Sequence, residues 1–95
     1  MSKIIESLSG IGKVFEGNNY IVDVSYELQF LEDSSGFKDI SGQIEVLGDK
    51  NLIFRIFDTS STTTLHLSDT RQINFILGSS DITSGYGWVE HGSFN

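Results

Sequence analysis

The chain has 95 residues, of which 38% are hydrophobic and 12% aromatic, which is enough for one core; we therefore expect a single domain over residues 1–95. The formal net charge of -7 and six scattered Lys and Arg residues argue against nucleic acid as a partner. The absence of Cys excludes disulfides, thiolate metal sites and a Cys nucleophile.

The N-terminal segment KIIESLSGI fits two structures. Ile4, Leu8 and Ile11 share a helical face, but Gly10 would end a helix there. A short helix that plugs one end of a barrel and an extra edge strand are both compatible with this pattern. The segment lacks the features of a secretion signal, and no stretch has the ~20 apolar residues of a membrane span. We therefore expect a cytoplasmic protein with no membrane partner.

The clearest strand is YIVDVSYELQFLE, residues 20–32. Apolar and polar residues alternate along it, which indicates a strand with one buried face. The predicted buried side chains are Tyr20, Val22, Val24, Tyr26, Leu28 and Phe30. At about 3.3 Å per residue the strand would be about 40 Å long, so we expect it to coil or bend as barrel strands do.

Four shorter segments continue the same pattern: ISGQIEVL, NLIFRIFD, TTLHL and RQINFIL. Clusters of Gly, Asn, Asp and Ser separate them and indicate turns. Short strands at this spacing are typical of an all-β antiparallel meander. The sequence thus predicts about seven strands, closed as a small barrel or folded as a sandwich.

One nine-residue frame, Ser-Gly-x-Gly-x-Val-x-x-Gly, occurs twice: as SGIGKVFEG at residues 9–17 and as SGYGWVEHG at residues 84–92. Alternate Gly residues leave one face of a strand bare and allow another backbone to approach closely. Because the first and last strands of a meander are its two edges, we predict that Gly10–Gly17 and Gly85–Gly92 lie together and close the barrel. No helix follows either copy, which disfavours a phosphate-binding loop.

Residues with catalytic or metal-binding chemistry are few. His66 and His91 are the two imidazoles, and His66 falls on the less apolar face of its strand. Neither occurs in a spacing typical of a metal site, and no nucleophile motif accompanies them. We therefore expect no metal, no cofactor and no enzymatic activity.

The leading functional hypothesis rests on apolar residues outside the predicted core. Ile53 and Phe57 flank Arg55 on one face of a predicted strand, and Ile76 belongs to a nearby hairpin. A contiguous patch of this kind would mark an interface with another protein. The hypothesis is a non-enzymatic barrel that acts through protein–protein contacts. It would be either a homo-oligomer or a binder that blocks a partner, as acidic inhibitor and immunity proteins do.

The alternative hypothesis concerns the second copy of the frame. Tyr86 and Trp88 could stack over Gly as core filler, or they could form a platform for a sugar or another flat ligand. In the second case Glu90 and His91 would complete the site, with Tyr20 and Tyr26 near the same barrel mouth.

Overall fold

A computed structural model describes residues 3–58 and 62–94, which form six strands and one short helix. The elements are β1 (Lys3–Glu16), β2 (Asn19–Glu32), β3 (Lys38–Val46), α1 (Leu52–Phe57), β4 (Thr63–His66), β5 (Gln72–Asp81) and β6 (Tyr86–Phe94). The strands close into one antiparallel barrel in the order β1-β2-β3-β6-β5-β4. The predicted all-β barrel is confirmed, with six strands in the described residues where about seven were expected.

The β1–β2 hairpin is the longest part of the barrel. Val22, Val24, Tyr26 and Leu28 are buried and Phe30 packs on the core, as the alternation predicts. The prediction for Tyr20 is wrong, because this side chain is exposed. The pairing register shifts between Val14 and Phe15, which breaks the alternation at the turn end of the hairpin.

The N-terminal segment is a strand, and the helical alternative is wrong. β2 pairs with β1 from Lys3 opposite Glu32 to Glu16 opposite Asn19, with a register shift that leaves Ile5 without an opposite residue. A partner strand of this length satisfies the backbone hydrogen-bonding groups that a helix would otherwise pair internally. This pairing outweighs the helical spacing of Ile4, Leu8 and Ile11.

The segment NLIFRIFD is a helix, so the prediction of a strand there is wrong. The side chain of Asp49 accepts a hydrogen bond from Asn51 N at 3.0 Å, and its carbonyl accepts one from Leu52 N at 3.1 Å. This turn starts the helix, whose buried residues Ile53 and Ile56 are three apart and share one face. In six residues the apolar pattern fits a helix as well as a strand, so the alternation was misleading.

The two copies of the repeated frame do not pair, so the predicted closure is wrong. β1 pairs with β2 and β4, whereas β6 pairs with β3 and β5. Each frame instead contains inward-facing Gly residues that make room for other groups, among them Gly12 and Gly87. A Cβ on Gly12 would clash with the carbonyl oxygen of His66, and one on Gly87 would lie 2.8 Å from Ile53 Cδ1.

The core fills the barrel interior with buried side chains from every strand and from α1. α1 lies against β5, β3 and β6, and its Ile53 is completely buried above Gly87. The described residues include no helix with the length and apolar character needed to cross a membrane.

Candidate functional site

Tyr86 and Trp88 lie on the outer wall of the barrel, on the same face of β6. The intervening Gly87 and the following Val89 face inward and are buried, whereas Trp88 is 42% exposed. The two rings are 6.2 Å apart between centroids with an interplanar angle of 29°. The predicted position at a barrel mouth is therefore wrong, since Tyr26 is buried in the core and Tyr20 lies at the β1–β2 turn.

A row of outward-facing polar residues leads from Trp88 across four strands. Trp88 pairs with Gln43 on β3, Gln43 with Glu27 on β2, and Glu27 with Ser9 on β1. Neighbouring strands are about 4.8 Å apart, so side chains in one row can contact a common ligand. Gln43 Nε2 is 3.4 Å from Glu27 Oε2, which orients the two side chains toward each other.

These residues line an open groove of about 740 Å³. The complete lining consists of Ser7, Leu8, Ser9, Glu27, Leu28, Gln29, Gly42, Gln43, Trp88 and Val89. Gly42 pairs with Leu28 and Val89, whose side chains are buried in the barrel. Serine hydroxyls, two amides and one carboxylate lie along the groove with the indole, and no Lys, Arg or His is among the lining residues within 3–58 and 62–94. The groove can therefore donate and accept hydrogen bonds but lacks a cation for an anionic ligand.

Glu90 and His91 do not line this groove. The β5–β6 register shifts between Ile76 and Leu77, so Glu90 lacks an opposite residue and lies over Gly78. His91 Nδ1 is 3.1 Å from Asp39 Oδ2. Of the four residues predicted as one ligand site, Trp88 lines the groove and Tyr86 lies beside it, whereas Glu90 lies over Gly78 and His91 contacts Asp39.

Asp39 holds the end of β6 against β3. Its Oδ1 accepts hydrogen bonds from Gly92 N at 3.1 Å and Ile40 N at 2.8 Å, beyond the last paired residues of the two strands. Partial burial by itself raises the pKa of Asp39, but the Gly92 amide, His91 and the Ile40 amide together favour the ionised form more strongly. The pKa of Asp39 therefore lies below its ordinary value.

Replacing this carboxylate should destabilise the barrel in a pH-dependent way. We expect Asp39→Ala to lower the free energy of unfolding by about 1.5–3 kcal/mol at neutral pH, because it removes hydrogen bonds to a charged group. A lowered pKa in the folded state stabilises the fold above the ordinary value near 3.9, and this contribution is lost as the pH falls through the folded value. Urea unfolding at neutral pH and near pH 3 should therefore show the difference between the two proteins shrinking in acid.

Asp58→Ala is the matched control, because Asp58 is an exposed carboxylate at the end of α1. It should change the unfolding free energy by no more than about 0.5 kcal/mol. Equal losses for the two variants, or a loss for Asp39→Ala that is unchanged in acid, would contradict this role of Asp39.

The predicted interface residues do not form one surface. Ile53 is buried in the core, whereas Arg55 and Phe57 are exposed on α1. Ile76 is exposed on the outer face of β5, opposite His91. The prediction that Ile53, Arg55 and Phe57 share a strand face is wrong, because helical geometry turns Ile53 inward.

A second candidate surface is the edge of β1. β4 pairs with β1 only from Lys13 to Glu16, so the preceding part of β1 has no strand partner on that side among residues 3–58 and 62–94. The β4–β5 turn approaches Gly10 through Ser68, and Arg71 reaches Glu6 with two hydrogen bonds of 3.1 and 3.2 Å. These are side-chain contacts, so the backbone edge from Lys3 to Ser9 remains unpaired. We call this segment the free edge.

The second imidazole, His66, also lies outside the groove. His66 stacks on Phe15 at 4.2 Å, with an interplanar angle of 26°. Within the two described ranges, no three His, Asp or Glu side chains are grouped so that they could hold a metal ion.

The sequence did not identify Ser9, Glu27 and Gln43 as site residues. They lie on three different strands, and each is an ordinary polar residue on a solvent-facing position. Alternation with buried neighbours predicted that Glu27 faces outward, but only the pairing register places all three residues in one row with Trp88.

Comparisons of the chain with protein-family models, with curated proteins and with solved structures found no match.

Proposed function

We propose that this barrel acts without catalysis, by binding protein, and that it binds a second copy of itself along the free edge of β1. The observation that carries this proposal is the unpaired edge from Lys3 to Ser9, on which Ile4 and Ile5 are exposed. An edge strand presents a row of backbone N–H and C=O groups that another strand can pair with. The chain contains no Pro, which is a common protection of such edges.

A second copy fits this edge better than an unrelated strand because the interface is self-complementary. Two β1 strands that pair antiparallel about a twofold axis each supply the same donors and acceptors to the other. The pairing also gathers Ile4 and Ile5 of both copies into one short interface. Burial of these side chains adds hydrophobic stabilisation to the backbone hydrogen bonds.

Charge opposes this association and gives it a characteristic salt dependence. Each copy has a formal net charge of -7, so two copies repel each other at low ionic strength. Near 1 M salt the Debye length falls to about 3 Å, and the repulsion is largely screened. Salt should therefore strengthen the dimer, whereas it would weaken an assembly held by ion pairs.

The test is the oligomeric state of an edge variant. Sedimentation velocity over a range of concentrations should show a monomer–dimer equilibrium that shifts toward the dimer at high salt. Ile5→Lys should weaken this association by about tenfold or more, because a Lys on an edge strand opposes the pairing of another strand.

Ile82→Lys is the matched control. Ile82 is 50% exposed in the β5–β6 turn and Ile5 is 46% exposed, so the two variants share the residue change, the charge change and a similar exposure. The control should dimerise as the parent chain does. A parent chain that stays monomeric at every concentration and salt would overturn the proposal. An Ile5→Lys variant that dimerises as the parent chain does would also overturn the proposal. Dissociation of the dimer by Phe54→Lys would then place the interface on the exposed side of α1.

A further inference from the structure

We infer that the groove beside Trp88 binds a neutral oligosaccharide, with the indole as the stacking surface. This function differs from self-association at the free edge: Ser7, Leu8 and Ser9 belong to both, but the groove lies on the outer face of the sheet, whereas the dimer uses the backbone edge of β1. The argument combines the exposed ring, the hydrogen-bonding groups around it, the length of the groove and its charge.

The indole of Trp88 is positioned to stack on a flat ligand. Trp88 projects from a strand within a closed barrel, and the ring of Tyr86 lies beside it at 29° to its plane. An aromatic ring presents a broad apolar face, which matches the C–H face of a sugar ring. Because Trp88 is on a strand rather than on a mobile loop, little conformational entropy is lost when a ligand stacks on it.

The polar groups next to the ring suit hydroxyl groups. Glu27 accepts hydrogen bonds only, whereas the amide of Gln43 and the hydroxyl of Ser9 both donate and accept. The hydrogen bond of 3.4 Å from Gln43 Nε2 uses one lone pair of Glu27 Oε2 and holds the two side chains together within the row. Within residues 3–58 and 62–94, no hydrogen bond occupies Gln43 Oε1, so this oxygen is available to a sugar hydroxyl.

The length of the groove favours several sugar units over one. The row from Ser9 to Trp88 crosses three inter-strand spacings, about 14 Å in total. The groove along this row is open, with a volume of about 740 Å³. A linear chain of sugars can therefore lie across the strands, with one unit on Trp88 and others over the polar row.

The charge of the groove selects against acidic sugars. Among the described lining residues Glu27 is the one ionisable group, and the chain as a whole has a formal net charge of -7. A sulfated or phosphorylated sugar would meet repulsion without a cation to offset it. A neutral oligosaccharide meets no such opposition.

The single Trp of the chain makes the test specific. Emission excited selectively from Trp88 should change saturably on titration with at least one of cellohexaose, maltohexaose, xylohexaose, mannohexaose and chitohexaose. A sulfated heparin oligosaccharide should not change the emission. Unchanged Trp88 emission with all five neutral sugars would overturn the inference. Tighter binding of the sulfated sugar would overturn the assignment of a neutral ligand.

Variants then connect the signal to the groove, with affinity measured by calorimetry on the bound sugar. Trp88→Ala and Gln43→Ala should each weaken binding by about tenfold or more, whereas Trp88→Tyr should retain much of the affinity because it keeps an aromatic face. Tyr20→Ala is the control, because Tyr20 is an exposed aromatic residue that does not line the groove. Equal affinity of Trp88→Ala and the parent chain would overturn the inference.

The same fluorescence separates this site from the proposed dimer. Dilution of the sugar-free protein through the monomer–dimer range should leave Trp88 emission unchanged, and Ile5→Lys should bind sugar as the parent chain does. Emission that follows protein concentration and not sugar would show the groove covered by a second copy and would overturn the carbohydrate inference. A parent chain that binds sugar but stays monomeric at every concentration and salt would contradict self-association alone.

Discussion

Gly42→Ala should lower the free energy of unfolding by about 3 kcal/mol or more, a large part of the ~5–14 kcal/mol expected for a domain of this size. Gly42 has a φ of +139°, which L side chains rarely adopt and which costs about 1–3 kcal/mol. A Cβ there would also overlap the carbonyl oxygen of Glu27 and lie 2.8 Å from Leu28 Cα. Both neighbours are backbone atoms of β2, so the strand itself would have to move. Chemical denaturation followed by circular dichroism measures the loss.

Gly48→Ala separates the cost of strained backbone from the cost of the collision. Gly48 has a φ of +116°, but nothing lies within 4 Å of a Cβ added to it. It should cost only about 1–2 kcal/mol. Similar losses at both positions would show that close approach of β2 and β3 is not what requires Gly42.

The requirement for Gly42 also connects the fold with the proposed carbohydrate site. The contact that demands Gly is the close approach of the β3 backbone to Glu27 and Leu28. Glu27 and Leu28 also line the groove, so a displacement of their backbone would change its shape. Any larger residue at this position should therefore reduce both stability and sugar binding, and the two losses can be measured separately where the variant still folds.

Ile53→Ala should be the second strongly destabilising change, with a loss of about 2–5 kcal/mol. Ile53 is completely buried and occupies the space above Gly87, where a Cβ would lie 2.8 Å from its Cδ1. Truncation would leave a cavity between α1 and β6 that neighbouring strands can fill only by moving. Thermal and urea unfolding of the variant measure the effect.

Two further substitutions in α1 distinguish the helix from a strand. Ile56→Ala should also cost about 2–5 kcal/mol, because Ile56 is buried on the same helical face as Ile53. Phe54→Ala should have little effect on stability, because this side chain is exposed. On a strand, Ile53 and Ile56 would face opposite sides, so a large loss at Ile53 with none at Ile56 would contradict the helical arrangement.

Ile53→Ala and the oligomerisation variant Ile5→Lys change different properties of the protein. Ile53→Ala acts on the folding of one chain, whereas Ile5→Lys acts on an exposed edge. The interface prediction from sequence placed Ile53 on a surface, but the structure buries it. Phe54 on α1 and Ile4 and Ile5 on β1 are exposed apolar side chains that the prediction did not include. We therefore propose the interaction surface on the N-terminal strand β1 and not on the segment around Arg55.

The amino-acid sequence by itself determined the all-β class, the presence of turns between short strands, and the inward face of β2 from Val22 to Leu28. These features are local: alternation of apolar and polar residues assigns each side of a strand without reference to its partner. The same local rule failed at NLIFRIFD, because the six residues that form α1 are too few to distinguish a period of 2 from a period of 3.6.

Tertiary structure alone decided which strands pair and in what register. β4 rather than β6 closes the barrel against β1, because the pairing depends on backbone hydrogen bonds and packing between residues distant in sequence. The same nonlocal register places Ser9, Glu27 and Gln43 in one row with Trp88. The repeated Gly frame shows the limit of local reading: it indicated bare strand faces, but the groups that fill the space at Gly12 and Gly87 come from β4 and α1.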